Sequence, residues 1–78
     1  MEKMQLDDAT VATFLALCKL KVTPQKKPDG RVAFLIEGAN INKALGELYA
    51  NAPVGALDFI KTFKALRSSI FALKGGQR

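Results

Sequence analysis

The chain has 78 residues, is 49% apolar, and carries a formal net charge of +5 from 12 Lys and Arg against 7 Asp and Glu. That length sets a single domain, residues 1–78, with one modest core closing over about 60% of the surface an unfolded chain exposes. The apolar share excludes disorder by composition, the lone Cys18 excludes an internal disulfide, and the absence of His removes both an imidazole base and a Cys/His zinc site.

From the N-terminus, "MEKMQ" is expected as a tail. The acidic residues of "MEKMQLDDAT", and its want of a long apolar core, do not suit a secretion signal. Residues 6–20, "LDDATVATFLALCKL", predict a helix. Asp7 or Asp8 suits its start, because a short carboxylate accepts first-turn amides and its charge matches that end of the dipole. Leu6 is placed to act as a hydrophobic staple. Val11, Phe14, Leu15 and Cys18 follow the i, i+3, i+4, i+7 rule and define the apolar face. Cys18 is expected there as a small buried hydrophobe. Lys19 complements the C-terminal dipole.

Residues 20–37 predict a two-stranded antiparallel hairpin. Leu20 and Val22 alternate with polar neighbours at the period of a half-buried strand. Pro24 confines that strand to an edge or ends it. Pro28-Asp29-Gly30 is turn chemistry for a three-residue loop, with Gly30 at positive φ. In "RVAFLIE", Val32, Phe34 and Ile36 line one face, and Ala33 and Leu35 the other. One face is expected to meet the helices, leaving the other for a second copy of the chain.

Asn40 is a candidate cap for a short helix, "INKALGELYAN", with Ile41, Leu45, Leu48 and Tyr49 towards its buried side. Gly46 weakens that helix by about 1 kcal/mol relative to Ala and suggests a close helix contact. "NAPVG" is a tight connector. From about Val54 to Leu73, the residues Phe59, Phe63, Leu66, Ile70 and Leu73 form an apolar stripe at alternating spacings of four and three, widened by Ile60 and Phe71. Residues 74–78, "KGGQR", are expected as a tail. The fold class is therefore α+β: an N-terminal helix, a β-hairpin, and two C-terminal helices packed on it, ordered over residues 6–73.

No run reaches the roughly 20 apolar residues of a membrane span, and an unpaired Cys suits the cytosol. Neither a phosphate-cradling glycine motif nor a nucleophile–base pair is present, so the expected protein is not an enzyme and needs no cofactor or metal. What remains is charge and apolar surface. Lys19, Lys21, Lys26, Lys27 and Arg31 cluster around Asp29, while Lys61, Lys64, Arg67, Lys74 and Arg78 have no acidic neighbour in the last segment. Positioned cations suffice to contact phosphate. The candidate nucleic-acid-binding residues are Lys26, Lys27, Arg31, Lys61, Lys64 and Arg67, provided both zones share a face. Tyr49 is the one aromatic expected in water, which argues against base stacking. The last two helices invite comparison with helix-turn-helix readers, but a stripe running the full length of the second marks a core helix. The alternative is a protein-interaction or homodimer module, using Ala33 and Leu35 on the free side of the strand and Phe71 on the last helix.

The "RVAFLIE" strand, the helix ending at Tyr49-Ala50-Asn51, Val54, Asp58-Phe59 and the "KALRSSIF" segment resemble a family of short, uncharacterised bacterial and phage domains, a domain of unknown function. The order of leading helix and hairpin is similar as well. The resemblance implies a shared fold and a bacterial or phage source, and no activity.

Overall fold

The computed structural model describes residues 2–73. Its elements are β1 (Glu2–Leu6), α1 (Ala9–Leu17), β2 (Lys21–Lys26), β3 (Val32–Gly38), α2 (Ile41–Tyr49) and α3 (Ala56–Leu73). The α+β class holds, but the sheet has three antiparallel strands in the order β1-β3-β2. The expected order of elements is corrected accordingly: a strand precedes the first helix, and the segment expected as a leading tail is β1. Glu2 stands opposite Gly38, and Leu6 opposite Phe34. Met4 and Leu6 are partly buried against the core while Lys3 and Gln5 face away, a period-two pattern too short to stand out. What draws it into the sheet is β3. A strand buried on one face needs partners along both edges to satisfy its amides and carbonyls.

Helix α1 is shorter than its periodicity implied. Of the two aspartates, Asp8 caps it: Oδ1 accepts from the Thr10 amide at 2.9 Å and the Val11 amide at 3.4 Å. Bonds from the Thr10 hydroxyl, and then from its amide, hold this carboxyl below its usual pKa. Leu6 ends β1 rather than stapling the helix. At the other end Lys19 turns left-handed (φ 71°). Its amide donates to the Ala16 carbonyl and that of Leu20 to the Leu15 carbonyl, the paired bonds of a Schellman stop. The chain then enters β2.

Pro24 lies in edge strand β2, and the loop 28–30 is closed by Gly30 N–H donating to the Lys27 carbonyl at 2.9 Å and Lys27 N–H to the Arg31 carbonyl at 2.7 Å. Gly30 has φ +88°. Asn40 stands at the head of α2 but is left-handed and gives no side-chain cap. The cap comes from β1, where Glu2 Oε1 accepts from the Ile41 amide at 3.1 Å. Asn51 (φ 64°) ends α2 with a second Schellman pair, donating to Leu48 while Ala52 donates to Glu47.

One face of the sheet carries Phe34 and Ile36, both at 0% exposure, with Met4, Leu6 and Val22 beside them. Above them sit Ala12, Phe14 and Leu15 of α1, Ile41 and Ala44 of α2, and Leu66 of α3. Each large side chain kept dry contributes about 1.5–3 kcal/mol. Helix α3 packs against α1 and β2, not as the second half of a helix-turn-helix with α2. Of its expected stripe only Leu66 is buried, while Phe59, Phe63, Ile70 and Leu73 are partly so. Tyr49, towards the buried side of α2 by spacing but also the one aromatic expected in water, is exposed, as is Gly46, whose missing Cβ has nothing within 4 Å. The close helix contact expected at Gly46 is therefore absent.

Two glycines are expected to respond oppositely to alanine in denaturant unfolding. Gly46→Ala stabilises by about 0.5–1 kcal/mol, since open space surrounds a helical backbone. Gly38→Ala costs about 1–3 kcal/mol, because Gly38 has φ +150° and its Cβ would stand 2.5 Å from Leu20 Cδ2. Asp8→Ala costs about 1 kcal/mol at neutral pH. The folded-state pKa of Asp8 is depressed, so its contribution is present above the ordinary carboxylate value of about 3.9 and is lost as pH falls below it. The gap between the wild type and Asp8→Ala accordingly closes in acid unfolding curves.

Candidate interaction surface

The two basic zones differ in local charge. At the hairpin end, Lys26 and Arg31 are exposed, but Lys27 is half-buried and its Nζ lies 3.7 Å from Asp7 Oδ1. Asp29 lies within the loop and accepts from the Arg31 amide at 3.0 Å. Asp8 follows Asp7 in the chain. Lys27 is thus paired with Asp7, and Asp29 shares the loop with Arg31, which weakens the positive field at this end.

Lys61, Lys64 and Arg67 are all exposed on α3, where the acidic residue is Asp58 in the first turn. Phe59 and Phe63 stack with ring centroids 6.2 Å apart and planes 13° from parallel. The Arg67 guanidinium carbon lies 5.7 Å from the Phe63 ring centroid, within cation–π range. Arg67 and Ala9 line one cavity, and Asp7, paired with Lys27, lies two residues before Ala9. Arg67 and Lys27 therefore both approach the start of α1, whereas Lys61 and Lys64 lie further back along α3.

Beside these cations α3 presents apolar surface. Leu57 is 61% exposed, Ile60 47% and Phe71 65%. The sequence placed Ile60 and Phe71 at the margin of the core stripe and did not single out Leu57. The missed signal is a second row, Leu57, Ile60, Lys64, Arg67 and Phe71, stepping by three and four as the inner row does. The inner row reaches the core through Leu66, and the outer row meets solvent. A groove of about 540 Å³ is lined by Phe59, Ile60, Phe63, Lys64, Arg67 and Ser68. A smaller one of about 240 Å³ lies between Ala9, Arg67, Ile70 and Phe71. Arg67 borders both.

The free side of the sheet is more polar than β3 alone implied. Leu35 is partly buried between Gln5 and Thr23, its direct cross-strand neighbours. Ala33 is fully buried and faces Gln25, whose Oε1 accepts from Gln5 Nε2 at 3.5 Å. Lys3 and Glu37 form an ion pair at 4.0 Å on the same side. Of Ala33, Leu35 and Phe71, Phe71 is the one that is openly accessible.

Cys18 is only partly buried and borders a cavity with Leu20, Asn40, Lys43 and Glu47. Burial, and then the charge of Glu47, push its thiol pKa up, which keeps it protonated and a poor nucleophile at neutral pH. No group of His, Cys, Asp and Glu among the described residues could hold a metal ion. No helix among them is long and apolar enough to cross a membrane.

In comparisons with known proteins, the chain matches no protein-family model, no curated protein and no solved structure.

The two rows of α3 are expected to separate in stability. Leu66→Ala costs about 2–5 kcal/mol by removing a buried anchor, whereas Ile60→Ser and Phe71→Ser each change stability by less than about 0.5 kcal/mol. Urea unfolding of the three variants checks this.

Proposed function

We propose that the protein is a non-enzymatic binding module whose working surface is the outer row of α3, and that its partner is another protein. The observation carrying this reading is the exposure of Leu57, Ile60 and Phe71 on one helix face, beside Lys64 and Arg67. A single exposed apolar residue needs no explanation, but three on one helix face, beside two grooves that share Arg67, fit a partner. The absence of His and the suppressed Cys18 thiol favour binding over catalysis. A bacterial or phage source is what the resemblance implies.

The second reading is contact with nucleic-acid backbone. It is favoured by Lys61, Lys64 and Arg67, which need only reach phosphate. It gains less from Lys26, Lys27 and Arg31, given the carboxylates among them. The homodimer version through Ala33 and Leu35 has less support than α3, because polar side chains surround those residues.

A titration of the isotopically labelled protein with short single-stranded and duplex DNA, at low and moderate salt, separates the readings. The proposal expects no saturable shifts in amide spectra. Saturable shifts at Lys61, Lys64 and Arg67 that fade as salt rises would transfer the function to nucleic acid. A photo-crosslinking residue at position 60, and another at position 23 on the free sheet face, supply the positive arm in extracts of expressing cells. A nuclease-resistant protein adduct is expected from position 60 and not from position 23.

A further inference from the structure

Three kinds of occupant fit an apolar helix face: a second copy of the chain, a lipid surface, or a helix of a different protein. Charge along the outer row distinguishes them. Leu57 and Ile60 lie at one end and Phe71 at the other, with Lys64 and Arg67 between. If two copies of this row met antiparallel, Lys64 would face its own counterpart at the centre. If they met parallel, Lys64 and Arg67 would each face themselves. Both pairings set like charges together in a desolvating contact, which costs rather than stabilises. A lipid surface asks for an apolar stripe free to roll inward with cations at its flanks. Here Leu66 holds the more apolar row in the core, and the cations sit in the middle of the outer one.

The remaining occupant has complementary charge. Resting on the reading of α3 as a protein-binding surface, we infer that the partner is an acidic amphipathic helix laid along the outer row. Two apolar side chains about one heptad apart enter the two grooves, and a carboxylate between them meets Arg67. Phe63 lines the larger groove and Ile70 the smaller; seven residues apart, they stand about 10 Å apart along the axis, the reach of residues i and i+7 on a facing helix. Arg67 is the natural meeting point because both grooves share it. Its stacking over Phe63 restrains the guanidinium before any partner arrives, so less rotamer freedom is lost when its planar fork takes a carboxylate. Lys64 adds a second, more mobile cation along the same row.

The test uses the full chain and two synthetic helical peptides. One carries Leu at two positions seven apart with Glu midway, and the other has Lys in place of that Glu. Amide spectra are followed on titration. The acidic peptide is expected to perturb Ile60, Lys64, Arg67 and Phe71, bind at least tenfold more tightly than the basic one, and weaken as salt rises. In the Lys64→Glu/Arg67→Glu variant, which changes two exposed side chains and is checked for a native spectrum, the preference reverses. Equal binding of both peptides at α3 would overturn the acidic partner while leaving the protein-binding surface standing. Failure of both peptides to perturb α3 would overturn the inference and remove support from that surface as well. Vesicles containing phosphatidylglycerol are the last arm. Perturbation of the same residues by vesicles, with none by the peptides, would overturn the inference in favour of a lipid surface.

Discussion

Phe34 and Ile36 can be dry only if β3 is flanked on both edges and roofed on one face. The chain has little material with which to do this, and each of its elements serves the requirement. Strands β1 and β2 occupy the two edges, α1 and α2 cover the roof, and Leu66 fastens α3 to the flank. The odd-numbered side of the sheet is left to Gln5, Thr23, Gln25 and the Lys3–Glu37 pair. A domain this small does not build a second layer. The polar character of that side, more than any feature of β3 itself, moves attention away from the strand as a docking seam.

What was legible in the sequence was local. Asp7-Asp8 announced a helix start, Pro28-Asp29-Gly30 a turn, and the four-and-three spacing of α3 the face that carries Leu66 into the core. These are short-range signals, each resting on one residue's backbone preference or on simple periodicity. What escaped notice depends on distant partners. Nothing in "EKMQL" says that it pairs with residues 34–38, and nothing in Asn40 says that its helix is capped by Glu2. Lys19 ends α1 in a conformation usually given to Gly, so the stop carried no composition signal.

The candidate surface was legible in the same uneven way. Lys61, Lys64 and Arg67 were visible as cations without anions, and the structure leaves them exposed. Lys26, Lys27 and Arg31 looked equivalent in the sequence. They are not, because the fold returns Asp7 to Lys27. Net charge along a chain is a poor guide to the field at a surface when the neutralising groups come from another element. The outer row of α3 was hidden by its chemistry: two cations interrupt three apolar residues, so it does not stand out beside the uninterrupted inner row.

The strand order also has a kinetic side. The β2–β3 hairpin closes through a three-residue loop and needs almost no search. Pairing of β1 with β3 must bring Glu2 back to Gly38 across the whole of α1 and the hairpin, with a larger loop-closure entropy. The hairpin is therefore the early unit and β1 the late one. Until β1 arrives, one edge of an apolar strand is open and α2 lacks the carboxylate at its head. The last pairing to form completes the sheet and anchors the second helix at once, which makes collapse of the domain more cooperative than its modest core alone would make it.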